Sequence, residues 1–107
     1  LIVHRGNIEE LCAGSVAKTF ETLGGKVIYY GKPYKEIYEM CFNPGEKVLA
    51  IGDNLRTDIK GANNLNIDSL FIYSGVHKRE FNTNKELPAL IKKYSVKVNF
   101  FQKELKW

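Results

Sequence analysis

No stretch of this sequence is long and apolar enough to span a membrane: a bilayer-crossing helix needs about 20 consecutive apolar residues, and the apolar runs here are far shorter. The N-terminal residues do not read as a secretory signal. Cysteine is scarce. Cys12 and Cys41 stand far apart, and no Cys-x-x-Cys spacing supports a thiolate metal site. Each falls in a helical pattern, so the pair reads as buried thiols of a reducing, cytoplasmic compartment; the sequence leaves a single disulfide open. Basic residues exceed acidic ones by four, but only Lys78-Arg79 and Lys92-Lys93 are adjacent. A nucleic-acid surface needs a denser stripe. The surplus reads as solvated surface with some pull on anionic substrates. Internal repeats and low-complexity segments are also missing. The expectation is therefore one soluble globular domain's worth of chain, with neither nucleic acid nor membrane as a partner. The first residue is Leu rather than Met, which suggests a piece of something longer.

What is present centres on residues 47–58, Lys-Val-Leu-Ala-Ile-Gly-Asp-Asn-Leu-Arg-Thr-Asp. Residues 48–51 form a short apolar run of strand length, read as buried on both faces. Gly52 ends it, Asp53 stands just past that end, and Asp58 falls where a helix begins. Ligands of open α/β sheets bind outside the carboxyl ends of the strands, and two carboxylates there offer a seat to a hard cation such as Mg²⁺. Taken singly, Asp53 reads as a turn residue and Asp58 as a helix N-terminal acid; their combination after a strand and a glycine favours a site.

The rest of the chain reads as an α/β domain with a parallel sheet flanked by helices. Residues 8–23 carry apolar positions at helical spacing and stop at Gly24-Gly25, with Gly14 allowing a later start. Residues 26–30 are β-branched and aromatic, hence a strand. Pro33 suits the first position of a helix over 34–42, which puts Lys32 at a helix entrance that favours anions. Residues 55–65 form a helix, with Thr57 as its cap and Ile59, Ala62 and Leu65 on one side. A strand follows over 67–73, completing a right-handed parallel unit. Residues 74–86 read as loop, with His77 facing solvent and Asn82-Thr83-Asn84 as a cap. A helix over 86–94 accepts Pro88 in its first turn, and residues 96–101 form a last strand at the sheet edge, Phe100-Phe101 packing inward. His4 reads as a loop residue.

Gly52-Asp53-Asn54-Leu55-Arg56-Thr57-Asp58 resembles the fourth motif of the haloacid dehalogenase (HAD) superfamily, in the Gly-Asp-x-x-x-Thr-Asp form of its class IIA, NagD-type phosphatases. Gly31-Lys32-Pro33 resembles the third motif of the same subgroup, and Ser74-Gly75-Val76 also looks like it. The two motifs stand in the right order, with a gap that fits one helix and one strand. The resemblance implies a Rossmann-like HAD parallel sheet, incomplete in this chain, with residues 1–30 as the end of a cap domain and 31–107 as the second half of the core.

It also implies a Mg²⁺-dependent phosphatase acting on a small phosphorylated metabolite through an aspartyl-phosphate. By position, Lys32 is the motif-three lysine that orients phosphate, Asp53 is the Mg²⁺ ligand, Asp58 holds a metal-bound water or orients the site, and Asn54 hydrogen-bonds a coordinated water or substrate. The physical logic is that two anions, a carboxylate nucleophile and a phosphate, need cations between them. The sequence departs from the family in one respect: no Asp-x-Asp motif occurs in the 107 residues. The nucleophile would lie upstream, so the remainder of a parent chain is an expected partner and this piece alone is expected to be inactive. A homo-oligomer is allowed by the sequence but not specified by it. The alternatives are a non-catalytic phosphate- or nucleotide-binding HAD-like module, a receiver-type signalling domain, disfavoured because its Lys follows the phosphorylated Asp, and a structural α/β domain.

Overall fold

The structure, a computed structural model, describes residues 2–5 and 8–106. Leu1, Gly6, Asn7 and Trp107 lie outside the described residues. Among the described residues no helix is long and apolar enough to cross a membrane.

The chain opens with β1 (Ile2–Arg5) and β2 (Ile8–Leu11), an antiparallel pair with Ile2 opposite Leu11 and Arg5 opposite Ile8. This corrects two expectations. His4 lies in a strand rather than a loop, and the helix expected from residue 8 starts only at α1 (Ala13–Thr22). Pairing with β1 gives the backbone of residues 8–11 a ladder, which outweighs the helical spacing of their apolar side chains. The helix ends where the two glycines foretold. Gly24 adopts φ +90°, and Gly25 N–H reaches back to the Phe20 carbonyl at 2.9 Å while Gly24 N–H reaches Glu21 at 2.9 Å, the double hydrogen bond of a Schellman stop.

Residues 26–30 do not form the expected strand. β-branched and aromatic residues make a strand only beside a partner, and this segment joins neither sheet. Instead Tyr29 stacks on Tyr34 at 5.0 Å and its hydroxyl donates to Glu21 at 3.0 Å. The next helix, α2 (Lys35–Glu39), is shorter than expected and is capped by Tyr34, so Pro33 precedes the cap rather than opening the helix. Cys41, just beyond it, is exposed, and Cys12 at the start of α1 is half-buried. Both are free thiols, and neither is the buried thiol the sequence suggested.

The core unit follows. β3 (Leu49–Gly52) leads through a π-helical turn (Leu55–Ile59) into α3 (Lys60–Asn64) and on to β4 (Asp68–Ile72), which lies parallel to β3 with Ile51 opposite Leu70. A 3-10 turn (Asn84–Glu86) and α4 (Leu87–Lys93) lead to β5 (Phe100–Gln102), parallel to β4 on its other side. The sheet order is β3-β4-β5, so β4 is central and β3 is an edge. Nor is β3 buried on both faces: Leu49 and Ile51 remain 46% and 40% exposed. Phe100 and Phe101, on the opposite edge, are likewise exposed rather than inward.

One face of the sheet carries the core. Leu55 and Ile59, four residues apart on one side of the helix, pack with Phe71 of β4 and with Leu87 and Leu90 of α4; all five are buried. The turn into α4 is held by a capping box between Thr83 and Glu86, and Pro88 falls in the first turn, where no donor is lost.

Candidate functional site

The carboxyl end of β3 is built around glycine. Gly52 closes the strand, and a Cβ there would stand 2.3 Å from the Cβ and Cγ of Asp58. Only a residue without a side chain lets Asp58 fold back over the strand end. Asp58 is 9% exposed, and both its oxygens are engaged. Oδ2 accepts the Asn54 N–H at 3.1 Å, and Oδ1 accepts from the Lys32 ammonium, which is half-exposed. A buried carboxylate is tolerable because it has a cation and a backbone donor against it.

Asp53 is fixed from the other side. Val76 N–H donates to its Oδ2 at 3.0 Å, and a Cβ on Gly75 would stand 2.0 Å from that same oxygen. The loop after β4 thus presses bare backbone against the Asp53 carboxylate. Asn54 begins the π-helical turn. Its side-chain oxygen accepts the Arg56 N–H at 2.9 Å, and its carbonyl accepts from Asp58 and Ile59 at 3.0 and 3.2 Å. Asn54 is the cap, not Thr57: the donors of a first turn need an acceptor ahead of them, and Asn54 stands there.

Lys32, Asp58 and Asn54 therefore form one bonded chain at the strand end, with Asp53 the next residue to Asn54. A cavity of about 190 Å³ opens beside the ion pair, between β3 and α2, with Lys32, Asp58 and Tyr38 on one wall and Val48, Ala50 and Ile51 on another. Tyr38 closes the back of Asp58. Its hydroxyl donates to the Thr57 and Asp58 carbonyls at 3.3 and 3.4 Å. Burial, and then the Asp58 charge, push its pKa above the usual phenol range, so the hydroxyl keeps its proton as a donor.

Among the described residues no group of three or more His, Cys, Asp or Glu side chains converges as a metal cage. The donor set suits a hard cation such as Mg²⁺, which takes one or two carboxylates and keeps several waters: Asp53 is a carboxylate anchored by a single backbone donor.

The structure also shows what pattern reading missed. His77 is 3% exposed, not facing solvent. Its Nε2 accepts the Leu55 N–H at 3.0 Å and its Nδ1 faces Glu80. The one local signal was Glu80 three residues on; the other partner lies 22 residues upstream. Tyr38 had no signal beyond its place on a short helix.

A parallel sheet with one carboxylate just past the end of β3 and another in the helical turn that follows defines an α/β protein of Rossmann-like build. Residues 29–94 match the family of HAD-hydrolase-like proteins, and the chain belongs to that family. Among curated proteins it is 32% identical to a cardiolipin synthase (CMP-forming)/mitochondrial hydrolase fusion protein of Schizosaccharomyces pombe, over 62% of this chain and 13% of that one. Among solved structures it resembles a haloacid dehalogenase-like hydrolase from Brucella suis 1330, with 30% identity, TM-score 0.62, and 92% of this chain against 36% of that one. A p-nitrophenyl phosphatase from Archaeoglobus fulgidus shares the fold at 15% identity, TM-score 0.72, over 96% of this chain and 40% of that one. The chain thus spans well under half the length of each.

Proposed function

We propose that this chain is part of a Mg²⁺-dependent HAD phosphatase of the class IIA, NagD-type group, hydrolysing a small phosphomonoester. In this reading residues 1–30 are the end of the cap, residues 31–107 are the second half of the core, and the nucleophilic Asp comes from sequence outside these residues. The observation that carries the reading is the Lys32–Asp58–Asn54 chain of hydrogen bonds beside Asp53. It holds an ammonium and an anchored carboxylate at one strand end.

The roles follow from charge. The Lys32 ammonium, fixed by Asp58, presents a cation to an incoming phosphoryl group and orients it. Asp53 would ligate Mg²⁺ directly. Asp58, already bonded to Lys32 and to the Asn54 backbone, would reach the metal through a water and hold the arrangement in place. The Nδ2 end of Asn54 would bond a coordinated water or a phosphate oxygen. When bound, Mg²⁺ supplies the positive charge that lets one anion approach another. The protein would work in the cytoplasm, on a metabolite rather than a polymer. A second reading, equally consistent with the lack of an Asp-x-Asp motif in these residues, is a non-catalytic module that binds phosphate or nucleotide.

Turnover of an aryl phosphate separates the two. The full-length protein is expected to hydrolyse it with Mg²⁺ and to lose that activity on Asp53→Asn, while the 107-residue chain alone does not. Mg²⁺ and phosphate binding by the full-length protein without turnover would select the second reading. Binding of neither Mg²⁺ nor phosphate would refute both.

A further inference from the structure

The loop after β4 carries a buried histidine for which the proposed reaction has no use. The His77 ring lies edge-on to Tyr94 at 4.8 Å and to Phe71 at 6.2 Å. An amide N–H can only donate, so the Leu55 N–H at 3.0 Å requires an unprotonated Nε2, and the ring proton sits on Nδ1, facing Glu80. Glu80 is held in turn. It accepts from the Tyr94 hydroxyl at 2.6 Å and from the Lys93 ammonium at 3.2 Å. Partial burial pushes its carboxyl up, but the bonds from Tyr94, His77 and Lys93 outweigh that and bring it down to about 2. The acceptor for the Nδ1 proton therefore stays charged, and the tautomer is set.

The place of this contact gives it a consequence. Leu55 opens the π-helical turn, so its N–H has no acceptor within the helix. The neighbouring donors are met locally: Asn54 N–H by Asp58, and Arg56 N–H by the Asn54 side chain. Only Leu55 is met from another loop. One residue before His77, Val76 N–H donates to Asp53. Two adjacent residues of one loop thus hold both sides of the turn that bears Asp53.

We propose that His77 is a positioning residue for Asp53: by accepting the Leu55 N–H it locks the 74–77 loop against the strand end and keeps the Val76 N–H on the Asp53 carboxylate. The inference rests on the reading of Asp53 as the Mg²⁺ ligand for its effect on metal affinity, but not for the clasp itself.

Two readouts in the full-length protein test it. In the metal-free state, His77→Leu should speed amide hydrogen exchange at both Leu55 and Val76 by roughly tenfold or more, while the amides of β4 keep their protection. Calorimetric Mg²⁺ affinity should fall by about 10- to 100-fold, the range for partners that orient a metal ligand. His77→Gln, whose amide oxygen can still accept from Leu55, should restore both. If His77→Leu does not fold, Glu80→Ala frees the ring from its Nδ1 side and should give the same paired loss in smaller degree. Val76 exchange that stays at the wild-type rate while Leu55 opens would overturn the proposal, and so would a failure of His77→Gln to restore either readout. If the wild-type protein binds no Mg²⁺, the metal reading fails, and the paired amides still decide whether the clasp exists.

Discussion

The α-carbon of Gly75 lies so close to Asp53 that a Cβ placed on it would stand 2.0 Å from the carboxylate oxygen Oδ2. The same oxygen accepts the Val76 N–H, so the backbone of the loop after β4 shapes the carboxylate from two adjacent residues. Gly75→Ala should therefore displace Asp53 rather than merely stiffen a loop. Mg²⁺ affinity of the full-length protein, measured by calorimetry, should weaken about tenfold or more. Gly31→Ala is the control: nothing lies within 4 Å of a Cβ there, and its stability should stay within about 0.5 kcal/mol of wild type. Equal Mg²⁺ affinity in Gly75→Ala and wild type would show that the contact does not govern Asp53.

The Lys32–Asp58 pair joins a half-exposed ammonium to a largely buried carboxylate. Its worth lies between the surface value of about 0–1 kcal/mol and the cost of about 3–5 kcal/mol for breaking a fully buried pair. Solvent reaches the lysine end, so Lys32→Met should destabilise by about 1–2 kcal/mol in urea unfolding. Asp58→Asn should cost more, because the carboxylate also takes the Asn54 N–H and fits against Gly52. In a double-mutant cycle the two changes should couple. Strict additivity would mean that the ammonium and carboxylate do not hold each other in solution.

Much of the unit from β3 to β4 was legible in the sequence because its signals are local. An apolar run, a glycine stop, helical spacing at Ile59, Ala62 and Leu65, and a second apolar run all lie within about 25 residues. That Lys32 and Asp58 meet at one strand end could be suspected only through motif resemblance, since no periodicity brings residue 32 to residue 58. What failed depended on partners. Residues 26–30 have strand composition but no ladder. Ile8–Leu11 has helical spacing but pairs with Ile2–Arg5. β3 reads as a strand buried on both faces, but Leu49 and Ile51 stay partly exposed. His77 was misread because burial of a loop residue is decided by Leu55, Phe71 and Tyr94, none of them near it in sequence.

Gly61 gives a prediction whose sign opposes helix propensity. Replacing a helical glycine with alanine ordinarily stabilises by about 1 kcal/mol. Here a Cβ would stand 2.0 Å from the Tyr38 hydroxyl oxygen and 2.4 Å from Cζ, and that hydroxyl is committed to the Thr57 and Asp58 carbonyls. Gly61→Ala should therefore lower thermal stability. In a Tyr38→Leu background the same change should cost much less or become favourable, because the ring it strikes is gone. A stabilised Gly61→Ala single variant would show that α2 and α3 do not pack as closely as this contact requires.

Glu80 sets an acid limit on the loop that carries His77. Its folded carboxyl is brought down to about 2 from an ordinary value of 4.5, so the unfolded chain takes up its proton first as pH falls. The stabilisation is fully present above about pH 4.5 and is lost progressively between 4.5 and 2. Glu86 contributes in the same direction, its carboxyl lowered by the Thr83 and Asn82 backbone donors. Glu80→Gln cannot titrate, and its amide keeps an acceptor for the Tyr94 hydroxyl. Urea unfolding at a series of pH values should show a shallower loss of stability for Glu80→Gln than for wild type below pH 4.5, with the two curves parallel between pH 5 and 6. Parallel curves through the acid range as well would mean that Glu80 is not held below its ordinary value, and that its bonds to Tyr94, His77 and Lys93 do not persist in solution.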